Sequence, residues 1–110
     1  MKSKNIVHQA LVADIKRVKA PIWEYIAAKL ARNIEVNVGK LGRITKKNEV
    51  VAVPGKVLGG GEIPHTLIVG AEKFSASART KIEGVGGQAV SLKELAQKHP
   101  DGKGVRIIAG

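Results

Sequence analysis

The sequence predicts an α/β fold, with N-terminal helices followed by an irregular winding of short strands and helices in a single domain. Three observations carry this. Apolar residues recur every three to four positions through the first thirty residues, and the period drops to two at Ile34. From Thr66 onward, strand-like and helix-like stretches alternate between glycine and proline punctuation. At 110 residues the chain suffices for one compact domain, burying roughly two-thirds of its extended surface, and is too short for two. Within 1–110, residues 1–33 read as a helical N-terminal part and residues 34–110 as an α/β core.

Val7, Leu11, Ile15 and Val18 fall on one face of a first helix that Ser3 is placed to cap, with Lys16, Arg17 and Lys19 off the stripe. Pro21 suits the first position of a second helix, since its missing N–H would be unpaired there anyway. Ile22, Ile26 and Leu30 form its stripe, widened by Trp23 and Ala27, and Asn33 is a plausible stop. Ile34, Val36 and Val38 alternate with polar residues as a short strand, and Gly39 to Ile44 follows as turn or short helix. Glu49 to Val53 is a second strand, ended by Pro54-Gly55, and Thr66 to Val69 a third. Ser75 caps a helix whose Ala78, Ile82 and Val85 face inward and which stops at Gly86-Gly87. Gln88 to Val90 is strand-like. Ser91-Leu92-Lys93-Glu94 reads as a capping box, serine and glutamate each satisfying a free amide at the helix start. That helix ends near His99-Pro100-Asp101-Gly102, and Val105 to Ile108 is the last strand.

Charge narrows the partner. Nineteen Lys and Arg against nine Asp and Glu give a net +10, which favours a polyanion. The excess is uneven: residues 29–47 hold Lys29, Arg32, Lys40, Arg43, Lys46 and Lys47 against Glu35 alone. The absence of cysteine excludes disulfides and thiolate metal sites. No apolar stretch approaches the roughly 20 residues of a membrane span, and the charged N-terminus is unlike a signal peptide. The expectation is a soluble intracellular protein.

Enzymatic motifs are tested and fail. Gly55 and Gly60 have P-loop spacing, but Gly61-Glu62 stands where Lys-Ser/Thr must be, and Pro64 does not suit the helix that should follow. Gly84 to Ala89 imitates a dinucleotide fingerprint, yet follows a helix and precedes a strand, the reverse of what that motif requires. His8, His65 and His99 lack metal-ligand spacing, and Ser75 and Ser77 lack a nucleophile elbow. No cofactor is implied. Trp23, Tyr25 and Phe74 are the three aromatics, too few for a base-stacking single-strand reader, and Trp23 and Phe74 belong with the core. Nucleic-acid contacts should then be mainly to phosphate and sugar. Gly59-Gly60-Gly61 lacks Cβ atoms, so its amides could approach a phosphate closely, with Lys56 supplying charge; a bare turn needing positive φ is the alternative.

Several blocks resemble one family in order and spacing. They are Ala20-Pro21-Ile22-Trp23; Glu35-Val36-Asn37-Val38 with Lys40 and Arg43; Val53 to Ile63; Phe74-Ser75-Ala76-Ser77-Ala78 with Ile82 and Gly86-Gly87; and His99 to Ile108. Together they resemble the "eighteen-e" family of archaeal and eukaryotic large-subunit ribosomal proteins and its bacterial relative, large-subunit protein fifteen. The resemblance spans nearly the whole chain. It implies a structural, non-enzymatic constituent of the large ribosomal subunit in the cytoplasm, bound to large-subunit rRNA beside neighbouring ribosomal proteins and not to a membrane. It also implies Lys40, Arg43, Lys56 and Arg79 as rRNA contacts. The basic segment adds Arg32, Lys46 and Lys47, and the glycine loop adds Gly59, Gly60 and Gly61. Family members often carry an arginine-rich insertion before the first strand, where this chain has only Arg32-Asn33-Ile34. A small nucleotide-binding α/β enzyme and a basic DNA-binding protein are the competing readings, separable by cell fractionation.

Overall fold

The computed structural model describes residues 21–110, so the first helix expected from Val7, Leu11, Ile15 and Val18 lies outside the described residues, as does His8. In chain order the elements are α1 (Pro21–Lys29), a turn of 3₁₀ helix (Leu30–Arg32), β1 (Ile34–Asn37), α2 (Val38–Ile44), β2 (Glu49–Leu58), β3 (Leu67–Phe74), α3 (Ala76–Gly84), β4 (Gln88–Ser91), α4 (Leu92–Lys98) and β5 (Val105–Ile107). All strand pairings are parallel, with β2 and β3 central. The α/β class is as the sequence predicts, and Asn33 takes the left-handed conformation (φ 53°) that stops the 3₁₀ turn.

Both faces of the sheet are covered, as parallel sheets require. Val51, Val53 and Val57 of β2 point to the face packed by α2 and α3, with Leu41 and Ile82 buried there. Val50 and Ala52 point to the opposite face, where α1 and α4 bring Trp23, Ile26, Leu92 and Leu95. Trp23 is fully buried, and its indole N–H donates to the His99 carbonyl at 2.9 Å, so the turn ending α4 anchors α1. Phe74 is partly buried against the first cluster.

Several features differ from the sequence reading. The second strand does not end at Pro54-Gly55. The ladder to β3 shifts between Val53 and Lys56, and pairing resumes to Leu58. Pro54, which cannot donate, sits in that irregularity, and β2 changes neighbour there: β5 pairs with Val50 to Ala52 and β1 with Gly55 to Leu58. A Cβ on Gly55 would lie 2.1 Å from the Ile34 carbonyl oxygen, so only glycine lets β1 close on β2. The third strand does not stop at Val69 but runs to Phe74, because Gly70 is the place where Leu95 of α4 rests on the sheet. Val38 leaves the first strand and starts α2. The capping box is half made. Ser91 Oγ accepts from the Glu94 amide at 3.1 Å, but the Glu94 carboxylate pairs with Lys98 at 3.3 Å, because Ser91 is also the last residue of β4 and its backbone lies in the ladder beside Ala71.

Candidate nucleic-acid interface

The carboxyl ends of β1 and β2 deliver the residues around one open groove of about 380 Å³. Asn37 ends β1 and is the N-cap of α2, but its side chain does not cap its own helix. Its Oδ1 accepts from the Gly60 amide at 3.0 Å, while the Gly60 carbonyl accepts from the Gly39 amide at 2.8 Å. Loop and helix start therefore satisfy each other's orphan backbone groups. The three glycines make this possible. Added Cβ atoms would lie 1.9 Å from Ser77 Oγ at Gly59, 2.6 Å from Asn37 Oδ1 at Gly60 and 2.6 Å from the Gly39 Cα at Gly61, which also has φ +83°. The loop continues over α2 at backbone distance: a Cβ on Gly42 would lie 2.7 Å from Pro64 Cδ.

A lysine of α3, Lys81, holds the loop from its other side. Its Nζ donates to the Gly59 carbonyl at 2.8 Å and the Gly61 carbonyl at 2.7 Å, and pairs with Glu62 at 3.2 Å. Sequence reasoning missed Lys81 because its partners lie about twenty positions away, and no local pattern joins them.

Of the residues singled out in the sequence, Lys40, Arg43, Gly60 and Gly61 line the groove together. The two cations stand one helical turn apart on the outer side of α2, whose inner side buries Val38 and Leu41. Lys40 donates to the Gly110 carbonyl. The others lie elsewhere. Lys46 and Lys47 are exposed in the turn after α2, where Glu49 folds back to accept from the Lys46 amide at 2.9 Å, so an acid does stand near this basic turn. Arg32 is exposed at the end of the 3₁₀ turn. Lys56 is exposed on β2, with Glu35 and Lys73 beside it in the ladder. Arg79 stacks over Phe74 with 5.2 Å to the ring centroid, and meets Glu83 at 3.7 Å and the Ala89 carbonyl at 3.3 Å.

Among the described residues, neither the P-loop nor the dinucleotide geometry forms around these groups. β2 passes through the glycine loop directly to β3 with no intervening helix, and Gly84 to Ala89 runs from α3 into β4. The His65 ring meets the Thr45 and Thr66 carbonyls at 3.0 and 3.2 Å, and among the described residues no His, Cys, Asp and Glu cluster could hold a metal. Ser75 accepts from the Ala78 amide at 3.2 Å, which is capping.

Fold and site define a small, strongly basic α/β protein with an open groove framed by cations and bare backbone. Comparison with known proteins makes this specific. Residues 20–90 match the family described as "Ribosomal proteins 50S-L15, 50S-L18e, 60S-L27A". The large ribosomal subunit protein eL18 of Methanopyrus kandleri is 40% identical over 94% of this chain and 92% of its own length. Those of Archaeoglobus fulgidus (40% identical, 89% and 87% covered) and Sulfurisphaera tokodaii (38%, 98% and 95%) agree. The chain belongs to this ribosomal protein family, which is structural and non-enzymatic.

Proposed function

We propose that this chain is a structural constituent of the large ribosomal subunit that binds and stabilises the large-subunit rRNA through phosphate and backbone contacts. The observation that supports it most is the groove, where Lys40 and Arg43 flank exposed glycine backbone at the carboxyl end of the sheet. Charge on a rigid helix beside backbone without side chains suits a phosphate, which needs cations and close approach rather than a shaped pocket. Arg32, Lys46, Lys47, Lys56 and Arg79 act as flanking contacts, and Gly59 supports the loop. Neighbouring large-subunit proteins complete the surroundings, and the place of action is the cytoplasm. Among the described residues no helix is long and apolar enough to cross a membrane.

Each phosphate contact contributes about 0.9 to the slope of log affinity against log salt. Replacing Lys40 and Arg43 together by alanine is expected to weaken binding to a large-subunit rRNA transcript and flatten that slope by up to about two. An unchanged slope in filter binding across a salt series would overturn the assignment.

A further inference from the structure

The groove holds one group that a phosphate site has no use for. Glu35, exposed on β1, lines it together with Lys40 and Arg43. Lys56 stands opposite Glu35 in the ladder, yet no ion pair joins them, and among the described residues the Glu35 carboxylate has no hydrogen-bond partner. An unpaired carboxylate beside a phosphate repels it, and so opposes the binding that Lys40 and Arg43 favour. The repulsion turns to attraction if the ligand carries a hydrogen-bond donor next to its phosphate, because an ionised carboxylate only accepts. The ribose of RNA carries such a donor at every nucleotide, the 2′-hydroxyl, and DNA carries none. Base-edge donors are less accessible to a chain that contacts the backbone and has only three aromatic side chains. Asn37 Oδ1 already accepts from the Gly60 amide, whereas both carboxylate oxygens of Glu35 are open to a donor in the groove.

We propose that Glu35 accepts a hydrogen bond from a ribose 2′-hydroxyl adjoining the phosphate held by Lys40 and Arg43, so that the groove distinguishes RNA from DNA. This rests on the rRNA-binding reading above and adds a selectivity residue to it.

The test is substitution interference. Large-subunit rRNA transcripts carrying 2′-deoxynucleotides at random positions are selected for binding to the wild-type protein, to Glu35→Ala, to Glu35→Gln and to the Lys40→Ala/Arg43→Ala variant. Wild type is expected to disfavour 2′-deoxy at one nucleotide by about tenfold, the size of a hydrogen bond to a charged group. Glu35→Ala should abolish that discrimination while still binding. Glu35→Gln should keep part of it, since an amide oxygen accepts without the charge. Identical 2′-deoxy profiles for wild type and Glu35→Ala would overturn the proposal. So would discrimination against guanine lacking its exocyclic amine, relieved by Glu35→Ala without any 2′-deoxy effect, because the donor would then be on a base. Failure of the underlying reading looks different: the Lys40→Ala/Arg43→Ala variant would bind rRNA as wild type does. Glu35 is exposed, so circular dichroism is expected to show all variants folded.

Discussion

Gly42 shows how closely the glycine loop lies on its neighbours. Its missing Cβ is replaced by Pro64 Cδ at 2.7 Å and the Glu62 carbonyl oxygen at 2.9 Å, one of them backbone that cannot turn aside. Gly84, at the end of α3, has nothing within 4 Å of the same position. Gly42→Ala is therefore expected to lower stability by about 1–3 kcal/mol, as overpacking does. Gly84→Ala should leave it unchanged or raise it by about 0.5–1 kcal/mol, by reducing the freedom of the unfolded chain. Urea denaturation of the two variants checks the pair. Lys81 is the other decisive residue. Lys81→Met keeps the apolar stem but removes the donor to the Gly59 and Gly61 carbonyls, so the loop should open more often. Hydrogen exchange at the Gly60 and Gly39 amides is expected to quicken, while exchange in β3 stays unchanged.

At the scale of elements, α2 and the turn after it separate two kinds of basic residue. Arg43 stands on the groove, whereas Lys46 and Lys47 project from the turn beyond it. If all three reach phosphate, replacing Arg43, Lys46 and Lys47 together by alanine flattens the salt dependence by up to about three contacts. The last helix supplies the comparison. Lys98 is tied to Glu94 one turn away, so Lys93→Ala/Lys98→Ala is expected to change rRNA affinity less. A larger loss from the α4 pair, measured in the same salt series, would put the RNA face on the other side of the sheet. The period of each element was legible in the sequence because it is local: Ser75 and Ser91 cap the helices they were expected to cap. Where elements end was less so. Pro54-Gly55 reads as a stop because breakers usually are, but the neighbouring strands carry β2 through it.

For the molecule as a whole, a net charge of +10 on 110 residues must be accommodated by a core split across two faces of a five-stranded sheet. Self-repulsion opposes the compact state, and anything that binds or screens the charge of the folded form should stabilise it. The melting temperature is expected to rise with sulfate as the Debye length falls below about 10 Å, and with an added rRNA fragment at low salt, where phosphate contacts are strongest. A melting curve that shifts with neither would mean that repulsion is not what limits this fold.

The sequence by itself determined the α/β class, most helix starts, the excess of positive charge and the family, because each rests on spacing, local chemistry or extended similarity along the chain. It also exposed the failed P-loop, since a motif needs its own residues in place. Only the tertiary structure decided which basic residues share a groove. Lys40 and Arg43 meet Gly60 and Gly61 because β1 pairs parallel with the far half of β2, a pairing that no local pattern encodes. It likewise turned the glycines toward Ser77, Asn37 and Gly39, set Lys81 against the loop carbonyls, and placed Glu35 beside Lys40 and Arg43 with no partner for its carboxylate among the described residues. Backbone approach and charge pairing act through space, over separations along the chain that periodicity does not reach.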